Sequence, residues 1–344
     1  MAVLLGIVLL LVVAAAGAFA FAQIRLARGI EAADRAWREY QPTPIGDFGS
    51  TQSLSILPLV DWYASGPGLE TEAGVSYLVK TDRSAILFDV GFNRQGRDPS
   101  PLLHNMRALG IGMDDFDTIV ISHNHLDHVG GMKWSRRRTF SLGNAQLDLT
   151  GKRVFTPVPM TYPGLEPVHA KDPTVIAEGV ATTGTIARQL FIGWVEEQAL
   201  VVHVAGRGLV LIVGCGHQTV PKLLSRTKAV FSKPLRGLVG GLHYPVPKGR
   251  AAVLGLPVQK LLASGDGPLH PVTQQEVSIH TDMLLELDLE LVGLSGHDSS
   301  DEVIQQFRTA FGSAYRDVRV GEPIVLAGPA GAASPGPSSG ELGR

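Results

Sequence analysis

The sequence Ile-Val-Ile-Ser-His-Asn-His-Leu-Asp-His-Val-Gly-Gly, residues 119–131, decides the fold of this chain. An apolar strand end is followed by four potential metal ligands within six residues, and then by two glycines that permit a tight turn. Imidazole and carboxylate groups suit Zn, Fe or Mn. Four ligands so close in sequence cannot all bind one ion without strain, but they can share two ions. A histidine-rich surface turn is the alternative interpretation. The four ligands are His123, His125, Asp127 and His128.

Together with other segments, this run resembles the metallo-β-lactamase superfamily. Residues 74–79 and 86–91 are similar to the superfamily's opening strands. Other blocks resemble one branch, the metal-dependent hydrolases similar to 7,8-dihydropterin-6-methyl-4-(β-D-ribofuranosyl)aminobenzene 5′-phosphate synthase. These blocks are residues 197–200, 213–217, 240–243 and 294–300. The resemblance covers about residues 54–326 and implies an α/β fold, an αββα sandwich of two mixed sheets flanked by helices.

The resemblance implies two more metal ligands, His217 and His297, each of which follows an apolar strand. In the implied arrangement one divalent ion is held by His123, His125 and His217. A second ion is held by Asp127, His128 and His297. The expected cofactor is Zn, as one or two ions, with Mn or Fe as alternatives.

For three further residues the sequence allows more than one role. Cys215 stands where many superfamily members carry an acidic residue that bridges the metals, so it is either a thiolate ligand or a small buried apolar residue. His243 is a metal ligand, a substrate-binding donor or a structural histidine. Asp89 either hydrogen-bonds a ligand histidine from outside the coordination sphere or is a turn residue. A Pro-Gly-His histidine of the superfamily is replaced by residues 182–186, which leaves the second ion weak, exchangeable or absent.

The function that the resemblance implies is that of a metal-dependent hydrolase or related transferase. A metal-activated water would attack a small-molecule ester or phosphoester. Asp127 is the predicted catalytic residue, as an ion ligand or as the acceptor of the water's proton. The alternative is a membrane-anchored sensor that binds a metal or ligand without turnover.

The charge balance argues against one class of partner. With 30 Lys and Arg against 32 Asp and Glu, the chain lacks the basic excess expected for binding nucleic acid. The basic run at residues 136–138 is interpreted as a solvated loop, with a phosphate-binding patch as the alternative.

The N-terminus indicates a membrane segment. Residues 2–22 are apolar or small without interruption, which is long enough to span a bilayer, although a cleaved signal peptide is the competing interpretation. Arginines at 25, 28, 35 and 38 follow, and the positive-inside rule then places the main domain in the cytoplasm rather than outside. The expected organisation is an anchor or signal sequence at 1–23, a juxtamembrane helix and linker at 24–50, the metallo-β-lactamase-like domain at 51–327 and a disordered tail at 328–344.

Local signals predict several elements. Alternating and continuous apolar runs predict a hairpin formed by residues 199–204 and 208–213. Ser100 followed by proline predicts a helix start, and Thr273 with Glu276 forms a predicted capping box. A similar cap is expected at residues 299–302.

Overall fold

The structure is a computed structural model that describes residues 1–329. The segment predicted to be disordered, 328–344, lies outside the described residues from residue 330 onward. In the described part the helices are α1 (Ala2–Glu39), α2 (Pro101–Ala108), α3 (Met132–Arg136), α4 (Val220–Val230), α5 (Val258–Ala263), α6 (Gln274–Leu285) and α7 (Asp301–Phe311). Short 3-10 helices are formed by Met113–Asp115 and Gly312–Ala314.

The strands of the described part form two large sheets and a small hairpin. The strands are β1 (Ser53–Val60), β2 (Ser76–Thr81), β3 (Ala85–Phe88), β4 (Thr118–Val120), β5 (Arg153–Thr156), β6 (Val168–His169), β7 (Val175–Ala177), β8 (Val180–Thr182), β9 (Ile186–Leu190), β10 (Gly193–Glu197), β11 (Leu200–Val204), β12 (Gly208–Val213), β13 (Leu235–Gly240), β14 (Leu291–Leu294) and β15 (Ile324–Ala327).

Both large sheets are mixed. The first has the strand order β15-β1-β2-β3-β4-β5-β6, and its strands run antiparallel up to β3 and parallel from β3 to β6. The second has the order β14-β13-β12-β11-β8-β7, in which β12, β13 and β14 are parallel. The strands β9 and β10 pair separately.

The core is built in layers. Apolar residues such as Ile56, Phe88 and Ile212 pack between the two sheets. The outer face of the second sheet is covered by α4, α6 and α7, and Phe307 is among the buried residues there. The outer face of the first sheet is covered by α2 and α3, where Trp134 is buried. This architecture confirms the predicted αββα sandwich of two mixed sheets.

Most of the local signals are also confirmed. The predicted hairpin is β11 and β12, and the Ser100 side chain accepts the backbone N–H of Leu103 at the start of α2. The capping box of Thr273 opens α6. The cap expected at residues 299–302 is provided by Ser300, whose side chain accepts the backbone N–H of Val303 at the start of α7. The neighbouring Ser299 hydroxyl donates to a carboxylate oxygen of Asp298 at 3.0 Å.

The long N-terminal helix α1 has two different halves. Its apolar window has a mean hydropathy of 2.8 and is 0% buried, and by length and composition the helix could cross a membrane. From Leu26 onward the same unbroken helix packs on the folded domain. Leu26 and Ala33 are buried, and the Asp34 carboxylate lies 2.9 Å from Nζ of Lys222. The predicted juxtamembrane segment is therefore helical up to Glu39 and continuous with the apolar segment, and the non-helical residues 40–50 follow.

Candidate metal centre

The candidate ligands follow the ends of strands at one edge of the sandwich. β4 leads into the histidine run, while β12, β13 and β14 lead into His217, His243 and His297. Because the carboxyl ends of neighbouring parallel strands lie at the same edge of a sheet, residues distant in sequence meet there. The second sheet thus brings its three histidines to the place where the first sheet presents its own.

The histidine rings are in mutual contact. The ring centroids of His123 and His125 are 4.6 Å apart, and those two rings lie 5.1 and 4.9 Å from the ring of His217. The rings of His128 and His297 are 5.4 Å apart. The structure therefore brings together His123, His125 and His217, which the resemblance assigned to the first ion. It also brings together His128 and His297, two of the three residues assigned to the second ion.

Cys215 lies at the centre of the cluster. Its Sγ atom is 3.1 Å from Nε2 of His128 and 3.2 Å from Nε2 of His297. Within residues 1–329 it belongs to three groups whose donor atoms lie within 4.8 Å of one another. These groups are Asp127, His128, Cys215 and His297; His123, Cys215 and His217; and Cys215, His243 and Asp298. His125 belongs to none of these groups, although its ring lies beside those of His123 and His217.

Several buried imidazole nitrogens in the cluster have no hydrogen-bond partner among the described residues, 1–329. These are Nε2 of His123, Nε2 of His217 and both ring nitrogens of His243. A buried polar atom left unpaired costs free energy, and in folded proteins such atoms are rare. Imidazole nitrogens, a thiol and carboxylates are also the donors that divalent transition metals prefer. The residues present therefore fit a divalent metal ion.

Asp89 orients two histidines through one carboxylate. Its Oδ2 atom lies 2.7 Å from Nδ1 of His128 and 2.6 Å from the Ser122 hydroxyl. The same hydroxyl lies 2.9 Å from Nδ1 of His123. Since Ser122 donates its proton to the carboxylate, it accepts the Nδ1 proton of His123, and the Nε2 lone pair of that ring is left free for a ligand.

A second carboxylate, that of Asp61 directly after β1 in the first sheet, orients His297 of the second sheet in the same way. Asp61 is fully buried and is approached by four donors, among them the Ser295 hydroxyl at 2.6 Å. That hydroxyl also lies 2.6 Å from Nδ1 of His297. Because Asp61 accepts from Ser295, Ser295 accepts from His297, and Nε2 of His297 is directed at Cys215.

Glu197 fixes the backbone of the turn that carries Cys215 and His217. Its Oε1 atom accepts the backbone N–H groups of Cys215 and Gly216, at 2.9 and 2.8 Å, and its Oε2 atom accepts that of His217 at 2.8 Å. Burial raises the pKa of Glu197 to about 7, although these bonds and His128 lower it. The Glu-Gln block noted in the sequence thus has a structural role that was not predicted.

Burial shapes the charge of the cluster. It lowers the pKa of His125 to about 4 and that of His243 to about 3. Burial acts in the same direction on His128, but the carboxylates of Asp127 and Asp89 outweigh it and raise its pKa to about 9. Burial, reinforced by surrounding carboxylates, raises the pKa of Cys215 well above its ordinary value, so a thiolate here requires a cation beside it.

The two sheets approach each other closely at this edge. Gly214, at the end of β12, faces Ser122, at the end of β4, and a Cβ atom at Gly214 would overlap the Ser122 hydroxyl. Gly214 therefore permits the contact that puts Cys215 next to the histidine run.

Comparison with known proteins agrees with this architecture. The metallo-beta-lactamase superfamily model matches residues 69–141, which include the whole histidine run.

The chain contains a metallo-β-lactamase superfamily domain.

A curated relative extends the likeness beyond those residues. It is the 7,8-dihydropterin-6-methyl-4-(beta-D-ribofuranosyl)-aminobenzene-5'-phosphate synthase of Methanocaldococcus jannaschii, 22% identical over 57% of this chain and 80% of that protein. Among solved structures, the chain is similar to Tm1679, a metal-dependent hydrolase of the beta-lactamase superfamily, with a TM-score of 0.54 and 21% identity over 80% of this chain and 99% of the other. The metallo-beta-lactamase fold protein YhfI from Bacillus subtilis is 11% identical over 80% of this chain and 100% of its own, with a TM-score of 0.46. Superfamily members are generally metal-dependent hydrolases, which agrees with the presence of candidate ligands here.

Sequence reasoning missed four residues of the site. Asp298 accepts the backbone N–H of His243 at 2.9 Å and places its Oδ2 atom 3.8 Å from both His243 and His297. An acidic residue directly after a strand-end histidine was the available signal. The others are Ser122, Ser295 and Asp61, which no local pattern identifies.

Proposed function

We propose that this membrane-attached chain is a metal-dependent hydrolase, or a related transferase, that acts on a small-molecule ester or phosphoester. The observation that carries the proposal is the convergence of imidazole, thiol and carboxylate donors in a cluster where several buried imidazole nitrogens have no partner. A cluster with only a structural role would pair these nitrogens within the protein.

The proposed ligands are those of the three groups described above. His123 and His217 would hold one ion with His125 and Cys215 nearby. Asp127, His128 and His297 would hold a second ion, with Cys215 between the two sites. His243 and Asp298 lie beside both and are available to a metal ion or to the substrate. Zn is the metal that this donor set favours, with Mn or Fe as alternatives.

The protein's own residues keep these donors ready. Asp89 holds the Nδ1 proton of His128 and, through Ser122, that of His123. The Asp127 carboxylate is partly exposed and lies 3.6 Å from Nε2 of His128, so it can bind an ion or accept a proton from water. A divalent ion at this site would lower the pKa of water and polarise a carbonyl or phosphoryl oxygen.

The substrate class rests on chemistry rather than on a relative. The curated relative is a synthase, whereas the superfamily consists mainly of hydrolases, and the same donors can serve either type of reaction. We therefore propose an ester or phosphoester as the substrate, with either hydrolysis or group transfer as the reaction.

The N-terminal helix would attach the protein to a membrane. Its apolar half is unburied and its arginines follow that half, which favours a cytoplasmic location of the catalytic domain by the positive-inside rule. A cleaved signal peptide with an exported domain is the opposite outcome.

One observation favours a second function, a sensor that binds metal without turnover. The group of Asp127, His128, Cys215 and His297 contains four donors, and four donors complete a tetrahedral shell. A catalytic ion keeps an open coordination position, whereas a closed shell is typical of a structural or sensing site.

Metal analysis of the purified full-length protein, together with a screen of esters and phosphoesters, tests the proposal. We expect one or two equivalents of a transition metal, and loss of metal and activity in His217→Ala and His297→Ala. His104→Ala is the control, because that residue lies half-exposed on α2, where its ring contacts the Gly68 carbonyl and a carboxylate oxygen of Glu70. Absence of metal, with no thermal shift on adding Zn, Mn or Fe, would contradict both functions. Stoichiometric metal without turnover would favour the sensor.

A further inference from the structure

We propose that Arg138 and Lys171 form a subsite for an anionic group of the substrate, a phosphate or a carboxylate. The proposal rests on the proposed function, because the subsite would position a substrate at the metal centre. It assigns a role to the last residue of the basic run, which the sequence alone suggested to be a solvated loop.

The subsite lies in a cavity that opens at the candidate metal centre. The cavity has a volume of about 340 Å³ and is bounded at one side by Asn124 and His125 of the histidine run. Arg138, His169 and Lys171 line it from other segments, and Trp194 of β10 completes the wall. A group bound among the cationic side chains would therefore lie in the same cavity as a candidate ligand.

The positive charges of Arg138 and Lys171 are not paired with acidic groups in the described part of the chain. Among residues 1–329, neither the Arg138 guanidinium nor the Lys171 ammonium forms a hydrogen bond or an ion pair within the protein, whereas many other basic side chains do. The acidic residue on the cavity wall, Glu196, accepts a hydrogen bond from the Trp194 indole at 3.0 Å. The cavity thus has an excess of positive charge, which an anion would neutralise.

The backbone at both cations is fixed. Arg138 has a φ of 50°, in the left-handed region that is unfavourable for its side chain. Its N–H donates to the Ser135 carbonyl at 3.1 Å, and its carbonyl accepts the N–H of Thr161 at 3.0 Å. The carbonyl of Lys171 accepts the N–H of Thr185 at 2.8 Å. These bonds hold the backbone at both residues beside the cavity that their side chains line.

Another residue of the cavity wall, Trp194, suits a flat apolar group. The Trp194 side chain is 44% exposed, and the bond to Glu196 restrains its indole. Aromatic faces bind planar groups by stacking. A ligand that carries an anionic group on an aromatic or heteroaromatic body therefore fits both features of the cavity.

Binding of phenyl phosphate, measured by calorimetry on the full-length protein in detergent, tests the subsite. Phenol serves as the neutral probe of the same shape. Arg138→Gln and Lys171→Gln should each weaken phenyl phosphate binding by about tenfold, because a charge-assisted bond to an anion is lost. Phenol binding should stay unchanged. Arg137→Gln is the matched control, since Arg137 is exposed in the same run but does not line the cavity.

Measurements before and after chelation separate this proposal from the proposed function. If the subsite exists, the Arg138 and Lys171 effects persist in the metal-free protein, even if no metal or turnover is ever found. The subsite is refuted if the wild-type protein does not distinguish phenyl phosphate from phenol after chelation. It is equally refuted if Arg137→Gln weakens binding as much as Arg138→Gln, because general surface charge would then be the cause.

Discussion

The Ser295 hydroxyl lies 2.6 Å from Nδ1 of His297 and connects that ring to the buried carboxylate of Asp61. The first sheet repeats this arrangement, with Ser122 between His123 and Asp89. In each case a carboxylate fixes the hydroxyl proton, the hydroxyl oxygen fixes the Nδ1 proton, and Nε2 is left as the free donor. Two sheets with different sequences therefore present imidazole lone pairs to one site by the same means.

Removing either hydroxyl should weaken metal binding. Without its hydroxyl, the histidine can take the other tautomer, in which Nε2 carries the proton and cannot bind an ion. We expect Ser295→Ala and Ser122→Ala to lower metal affinity by about 10- to 100-fold, as measured by competition with a chelator. Ser141→Ala is the control, because this buried hydroxyl donates to the carbonyls of Gly143 and Ala145 and accepts the N–H of Gly143, all within its own loop. An equal loss of affinity in all three variants would indicate general damage to the fold.

The central position of Cys215 leads to a second prediction. Many superfamily members have an acidic residue after this strand, and an aspartate here would offer oxygen donors within reach of His128 and His297. Cys215→Asp should therefore keep the metal content of the wild-type protein, whereas Cys215→Ala should lose about one equivalent. The measurement is metal content after dialysis against a weak chelator. Retention of full metal content by Cys215→Ala would show that the thiol is only a small buried group.

Glu197 should matter for stability as well as for the site. A glutamine at this position offers one acceptor oxygen and an NH₂ group, so at least one backbone N–H of the turn at residues 215–217 would face a donor. We expect Glu197→Gln to lower the free energy of unfolding by about 1–3 kcal/mol and to lower metal content. Its neighbour Glu196 is partly exposed and is the matched control, so Glu196→Gln should leave the melting temperature nearly unchanged. Equal melting temperatures for both variants would contradict this role.

The strand ends and the histidine run could be predicted because ligands that follow apolar strands leave a local pattern. The positions of Asp61 and Ser295 could not be predicted, because these residues are 234 positions apart and meet only when the two sheets pack. The grouping of ligands around Cys215 likewise depends on how closely the sheets approach at Gly214. Local sequence thus identifies which strands carry donors, and only the tertiary packing decides which donors share a site.

The apolar half of α1 gives a prediction about the membrane. If residues 2–22 span a bilayer, full-length protein should remain with the membrane after washing with high salt and carbonate. Salt removes proteins held by surface charge but does not extract a spanning helix. Release by carbonate, or a mature soluble chain that starts near residue 23, would contradict the anchor. Protease added outside intact cells should leave the domain uncut if the positive-inside argument holds.

The other half of α1 belongs to the folded domain, so the point of truncation should matter. A chain that starts at Gln23 keeps the buried Leu26 and the Arg226 guanidinium over the Tyr40 ring at 4.5 Å, whereas a chain that starts at Thr51 loses both. Burial of Leu26 contributes about 1.5–3 kcal/mol, and the cation–π contact adds about 0.5–1 kcal/mol. The shorter chain should therefore melt about 5 °C lower and bind a dye specific for exposed apolar surface, while its metal content stays the same. Equal melting temperatures for the two chains would show that residues 23–50 contribute nothing to the stability of the domain.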